Sequence, residues 1–563
     1  MPTEQSSMNL SRRWLLAGTG ATIASGLVGT DVFASSQPSS TPEQGGAVVA
    51  NAVVGNFEGT PVQGGTLSIA YGEPPTLDPR VSGATDWWRA GYAVFDPLIY
   101  QEAGTLKHYP GLAESWEISE DGLEYTFKLR QGVKFHDGEP FNADAVKYTF
   151  DSIQDPDLKS LTAIGYLGPY VETQVIDEFT AKVVFSAPYA PFLNNLTHSV
   201  LSPVSPKAGP NYTEFAFHPV GTGPFMFKEF IPQVSMTFVR NPDYSWGPDL
   251  MRNKGPAHLE EIIYRFVPAS ELATRYGLLQ VGEVQLTNGV APQELDSLRE
   301  EGEFQVLLPD VPGSPQIFPL NLAKAPTDDI LVRKAMAHAI DMETIINALW
   351  YGGRRTAQGP LSSPTPGYDP IVETYYPYDV EKAKSLLDEA GWTPGDDGIR
   401  VKDGQKLSVL TIITGGIEGK NAELVQAYLR EVGFENTVDI QEYAQTAPRM
   451  LAGEHNIARI FFSHTDPVVL TTLYHSKNIE GTGFNRTMKP FPELDSMLEE
   501  AEQEMDPDAR LAIYSDIQKF IMDNAMIIPR WEERVFWVGQ QNLHGLHFQP
   551  LGGPWLNDAW FAE

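Results

Sequence analysis

Three side chains in the last quarter of the chain could share a ligand. His464 and Asp466 stand two apart in Phe461-Phe462-Ser463-His464-Thr465-Asp466-Pro467, and His475 follows nine residues after Asp466. Imidazoles and carboxylates bind transition metals when they converge, but a histidine in a loop is usually just a polar residue. The chain of 563 residues has no cysteine, which excludes disulfides, thiolate nucleophiles and cysteine-held zinc or iron–sulfur clusters. Hydrolytic chemistry would leave a Gly-x-Ser-x-Gly elbow or an HExxH helix, and neither occurs. Gly415-Gly416-Ile417-Glu418-Gly419-Lys420 approaches a phosphate loop. That loop needs glycine where Thr414 stands and Ser or Thr where Asn421 stands, so the stretch reads as an exposed glycine loop after a strand. Gly221-Thr222-Gly223-Pro224 likewise reads as a turn. Adjacent Trp87 and Trp88 cannot both enter a core from one face of an element. Either one is core and the other caps the surface, or one lines a cleft and stacks on a sugar or covers an apolar side chain. Tyr71 ends the first strand, an edge where α/β sheets bind ligands. Trp350 and Tyr351 follow a helix and fit packing equally well. No metal or cofactor is expected.

The elements that must position these residues are legible as periods. Tyr125, Phe127 and Leu129 alternate with Thr126, Lys128 and Arg130, the pattern of a half-buried strand. Gly132 breaks it, Val133 and Phe135 resume it, and Asp137-Gly138 is a turn dipeptide. Asn142 leads into a helix with Val146 and Phe150 on one face. Leu67, Ile69 and Tyr71 alternate as a strand, and Val94 to Tyr100 is an apolar run of helical appearance. Phe318 to Leu322 reads as a short strand. The following helix has Asp328 as cap and Leu331, Val332, Ala335, Met336 and Ala339 as its stripe. Asp341, Asp379 and Asp506 cap three more helices, and Gly391 stops one of them. Strands at 407–414 and 526–531 alternate with helices at 423–431 and after Asp506, which indicates a mixed or parallel sheet.

The formal net charge of −33 argues against nucleic-acid or anionic-membrane partners. Ser11-Arg12-Arg13-Trp14-Leu15-Leu16 resembles a twin-arginine export motif. It precedes a weakly apolar run, Leu15 to Val28, that is short for a membrane span, with small residues for cleavage near Ala34. Leu16-Ala17-Gly18 is followed by Thr19, so no lipid-anchor cysteine is present. The expectation is an exported chain without a lipid anchor. Residues 35–63, rich in Ser, Pro, Gln and Gly, read as a linker.

LAESW (Leu112 to Trp116) followed by YTFKLRQGVKFHDGEPFNA (Tyr125 to Ala143) resembles the signature of the family 5 extracellular solute-binding proteins. Other stretches resemble that family in the same order: GGTL with LDP (Gly64 to Pro79), PYAPF (Pro188 to Phe192), RNPDYSW (Arg240 to Trp246), VRKA with AID (Val332 to Asp341) and YYPYDVEKAKSLLDEAGW (Tyr375 to Trp392). The resemblance covers about 490 residues, from Gly64 almost to the end. It implies an α/β, two-lobed periplasmic-binding-protein-like fold (type II) with an additional inserted subdomain and a hinge of two crossovers near Asn321 and Pro529. The parts would be a signal at 1–34, a linker at 35–63, lobe I at 64–110, 215–321 and 529–563, the subdomain at 111–214, and lobe II at 322–528. It implies a monomer that is not an enzyme, binds a small solute between its lobes and delivers it to the transmembrane subunits of an ABC permease.

A peptide is the first expectation for that solute. An oligosaccharide or other neutral solute is the alternative, and a nickel chelate or a secreted hydrolase comes after. Peptide-binding relatives resemble W-x-x-D-x-x-D-P where this chain has Phe461 to Pro467. The first Asp, which pairs with the peptide ammonium there, is Ser463 here, and an unpaired buried cation is expensive. Asp466 matches the second Asp, more often a structural turn residue. Lys420 lies near the position of a carboxylate-binding Arg in some dipeptide binders. Ligand contacts are expected from Tyr71, Trp87, Trp88, Asn321, Phe462, Ser463, His464 and Asp466.

Overall fold

The computed structural model describes residues 53–160, 162–481 and 483–563. The signal expected at 1–34 and most of the linker expected at 35–63 lie outside them. The end of that linker is already paired. Val54 bridges His547, the Gly55 N–H donates to the Leu546 carbonyl, and the Arg252 guanidinium lies over the Phe57 ring.

Lobe I is built on a seven-stranded sheet. Its strands run in the order Phe304–Leu307, Trp537–Gln540, Leu286–Asn288, Thr66–Tyr71, Glu261–Phe266, Ser235–Arg240 and Phe225–Ile231. The central strand Thr66–Tyr71 pairs in parallel with both neighbours. Leu67, Ile69, Ala70 and Tyr71 are all buried, because a central strand is covered on both faces.

The subdomain is an antiparallel sheet of Ala113–Ile118, Glu124–Leu129, Thr180–Phe185 and Tyr170–Asp177. Tyr125, Phe127 and Leu129 face its core, as their alternation predicts. The helix Ala143–Ile153 starts where the Asn142 side chain accepts the Ala145 N–H, and it buries Val146 and Phe150.

In lobe II, Gly313–Pro319 runs between Ile460–Ser463 and Ile527–Trp531. Beyond them lies a parallel pair, Ser408–Ile413 with Glu435–Ile440, joined through bridges at Ile457. Asp341, Asp379 and Asp506 cap their helices.

Three local expectations change. Asp329, not Asp328, caps the helix Ile330–His338 by accepting the Leu331 N–H. Val94 to Tyr100 is not a helix. Pro97 supplies no N–H, Ile99–Gln101 pairs with His108–Pro110, and Asp96 is held by tertiary bonds. The buried Asp96 carboxylate accepts from Tyr100, Thr222, Tyr244 and Trp246, so the YSW end of Arg240 to Trp246 is fastened to the FDP turn.

The third change concerns the hinge. The chain leaves lobe I through 308–312 and returns through 532–536. These segments lie side by side, with Val311 donating to Glu533 and Val535 to Pro309. Asp310 pairs with Arg534 in the opposite segment and with Arg355 of lobe II, 2.9 Å away. Asn321 lies past the strand Gly313–Pro319, and Pro529 sits within Ile527–Trp531. Both strands already belong to the lobe II sheet, so both residues lie beyond the crossovers.

Candidate ligand-binding site

The loop after Ile460–Ser463 is fixed by its backbone. Ser463 pairs with Gly313, whose φ is +120°. A side chain at Gly313 would stand 2.3 Å from the Phe462 carbonyl and 2.5 Å from the His464 nitrogen, so only glycine fits. Asp466 accepts the Val468 N–H at 2.8 Å, which turns the chain into the helix Val469–Tyr474. Its carboxylate is wholly buried and accepts from Arg510 at 2.7 and 2.9 Å and from Asn194 at 2.5 Å. Burial alone would raise its pKa. The Arg510 guanidinium outweighs that and holds the group at about 2.

Asn194 belongs to the subdomain and Asp466 to lobe II, so their bond crosses the cleft. The Asn194 carbonyl oxygen in turn accepts from Gln101 at 3.2 Å and lies 2.8 Å from His108 Nε2. Nearby, the Ala190 N–H donates to the Glu502 carbonyl, and Met505 of lobe II packs against the subdomain core. The two lobes are therefore in contact along this seam.

A line of rings completes it. Tyr166 lies 4.8 Å from His464 and 4.8 Å from His198 between ring centroids, and His198 lies 4.8 Å from Trp88, edge to face. His198 Nδ1 accepts the Val200 N–H at 3.2 Å, and His464 Nδ1 accepts the Asp466 N–H at 2.9 Å. Burial pushes His198 down to about 3, helped by the nearby His464. Burial likewise lowers His464 to about 4, against the pull of Asp466. Both rings are neutral at neutral pH. His198 Nε2 and the Tyr166 hydroxyl are buried without a hydrogen-bond partner among the described residues.

The residues expected from sequence divide. Trp88, Ser463, His464 and Asp466 come together at the seam. Tyr71, only 1% exposed, stacks on Trp537, packs against the tilted Tyr264 ring and donates its hydroxyl to the Asp86 carbonyl. Trp87, also 1% exposed, is inside the lobe I core against Phe95 and Phe238. Trp88 enters the subdomain core instead and donates its indole N–H to the Ser82 carbonyl. The paired tryptophans thus fill two different cores, an arrangement outside either sequence alternative. Asn321 spends its amide on the Gly453 and His455 carbonyls. Phe462 packs edge-on to Phe484. His475 lies 3.1 Å from Glu499 rather than joining His464, and Lys420 is solvent-exposed. Sequence reasoning missed Tyr166, Asn194, His198 and Arg510. None sits in a motif, and each reaches the seam only through long-range packing.

Two contacting α/β lobes, two crossing segments and a polar seam between the lobes define a hinged binding protein. The chain belongs to the bacterial extracellular solute-binding proteins of family 5, whose family model (family 5 Middle) matches residues 107–480. It is similar to Di/tripeptide-binding protein 1 of Pseudomonas aeruginosa (strain UCBPP-PA14), with 28% identity over 86% of this chain and 92% of that protein. Among solved structures it resembles the periplasmic binding protein DppA of Helicobacter pylori in complex with the peptide STSA. That match has 26% identity and a TM-score of 0.74 and covers 89% of this chain and 99% of the other. NikA of Brucella suis in complex with Fe(III)-EDTA aligns with 26% identity and a TM-score of 0.76, over 86% and 97% of the two chains. The fold is the mixed α/β, two-lobed periplasmic-binding-protein fold. Members of this family are extracytoplasmic solute-binding proteins.

Proposed function

We propose that this protein captures a peptide between its lobes and delivers it to the transmembrane subunits of an ABC importer. The observation that carries this reading is the seam itself, where groups from both lobes meet and leave buried polar atoms of His198 and Tyr166 unpartnered. The peptide-binding relatives agree with it. Solute enters the open cleft, closure buries it, and the closed form docks on the permease. A ligand favours closure only by its differential affinity for the closed form. The protein acts as an exported monomer, with the twin-arginine-like stretch Ser11 to Leu16 as its export signal. It performs no chemistry on its cargo.

Ser463 qualifies the peptide. It offers no charge for a peptide ammonium, and Asp466 is committed to Arg510 and Asn194. An ammonium must therefore be met elsewhere or be absent. Ser463 also favours the second reading, a neutral solute such as an oligosaccharide, although Trp87 inside a core provides no stacking platform for a sugar.

Thermal-shift and calorimetric titration of the mature protein with alanine peptides of two to five residues, maltooligosaccharides and a nickel–histidine chelate separates the readings. Stoichiometric binding of peptides is the expected result. Binding of sugars alone, of the chelate alone, or turnover of any solute rejects the peptide reading.

A further inference from the structure

Two unpartnered atoms at the seam, His198 Nε2 and the Tyr166 hydroxyl, share one chemistry, while Gln101 Oε1 and Asn195 Oδ1 are unpartnered acceptors behind them. The Val200 N–H donates to His198 Nδ1, and the Asp466 N–H donates to His464 Nδ1. A nitrogen that accepts an amide proton carries none itself, so each neutral ring holds its proton on Nε2. The same local device, an imidazole locked by the amide two residues on, occurs on both sides of the cleft. His198 comes from the subdomain side and His464 from lobe II. Between them stands Tyr166, whose hydroxyl is a third donor. His198 and Tyr166 are only 4% and 6% exposed, and neither His198 Nε2 nor the Tyr166 hydroxyl has a partner among the described residues.

The surroundings narrow what these donors read. His198 touches Trp88 and Tyr166 and feels His464, none of which carries a negative charge. The carboxylate that acts on His464, Asp466, is saturated by Arg510, Asn194 and the Val468 amide. A cationic group finds no counter-charge here, whereas an oxygen acceptor finds donors with nothing else to bond. We infer that His198, with His464 and Tyr166 beside it, forms a neutral donor subsite that takes acceptor oxygens of the solute, either peptide carbonyls or a terminal carboxylate. The inference rests on the peptide reading above and names the part of the peptide that this site recognises. It also gives closure a cause. Closing the cleft without solute buries donors that lose water and gain nothing, while closing on solute pairs them.

Calorimetry with di-, tri- and penta-alanine and their C-terminal amides tests this on the full mature chain. His198→Ala weakens peptide binding about tenfold or more, as expected for a lost buried hydrogen bond. His198→Gln, which keeps a donor near the Nε2 position, recovers much of it. The unliganded His198→Ala protein melts lower than the parent, because the Val200 N–H loses its acceptor and Trp88 and Tyr166 lose a ring contact, so affinities are compared well below both melting temperatures. Equal affinity for acids and amides assigns the subsite to carbonyl oxygens, and a preference for the acids that disappears in His198→Ala assigns it to the carboxylate. Parent-like affinity in His198→Ala overturns the inference while leaving the peptide reading intact. So does a His198→Gln variant as weak as His198→Ala with a lowered melting temperature, the mark of a packing role. A parent protein that binds none of the peptides overturns the peptide reading and this inference with it.

Discussion

At the scale of single residues, the buried pair Asp466–Arg510 dominates the candidate site. A buried ion pair adds little over an apolar pair of equal shape, but removing one partner strands the other charge. Asp466→Asn leaves the Arg510 guanidinium buried and uncompensated. We expect it to lower unfolding free energy by about 3–5 kcal/mol in urea titration, and Asp466→Leu combined with Arg510→Met to recover part of that loss. The seam histidines set a pH dependence. Their closed-state values, about 3 for His198 and about 4 for His464, lie below the ordinary 6.5. A lowered value means the neutral ring is favoured in the closed form, so closure is fully supported above 6.5 and loses support as pH falls toward 4. Around these rings stand Trp88, Tyr166, Asp466 and Arg510, with His108 next to Asn194 and close to Asp466. Solute affinity is therefore expected to drop roughly fivefold per titrating histidine between pH 6.5 and 5.5, measured by calorimetry across that range. A flat profile would remove the histidines from the closing step.

At the scale of elements, the short helix Thr85–Ala90 sits between two cores and gives each one a tryptophan. Trp87→Ala should cost lobe I about 3–5 kcal/mol of stability with little effect on solute affinity in the folded protein. Trp88→Ala removes a ring in contact with His198 and should change both. The helix Ala143–Ile153 depends on its cap, and Asn142→Ala should lower stability by about 1 kcal/mol, read from a shifted denaturation midpoint. Such caps were legible because a side chain two or three residues from an N–H is a local matter. Asp341, Asp379 and Asp506 were found that way. The choice between Asp328 and Asp329 was not, because the spacing fits both and the fold selects one. The run Val94 to Tyr100 misled because its residues serve three buried clusters and its Asp96 is held by residues up to 150 positions away.

At the scale of the whole molecule, the lobes meet where the turn at Gly122 touches Met505 and the Ala190 amide bonds to Glu502. The crossing segments 308–312 and 532–536 lie side by side between the two sheets, and we expect the lobes to move about them. The chain has no cysteine of its own, so dyes on Glu120→Cys and Glu504→Cys report lobe separation cleanly. Bound solute should shift the population toward high transfer efficiency in single-molecule measurements. An unchanged distribution would show that capture does not close the cleft.

The sequence by itself determined the elements and the family. Alternation, caps and turn dipeptides act within a few residues, and ordered landmarks such as Tyr125 to Ala143 survive without knowledge of the packing. It also drew attention to the segment Phe461 to Pro467. Only the tertiary structure decided what that segment faces. Tyr166, Arg510 and the stretch holding Asn194 and His198 are distant in sequence and meet His464 and Asp466 through contacts up to 298 residues apart. Residue spacing carries no record of such distances. The same packing turned Tyr71, Trp87 and Asn321 inward, because burying a large ring or satisfying an amide is settled by which neighbours the fold supplies.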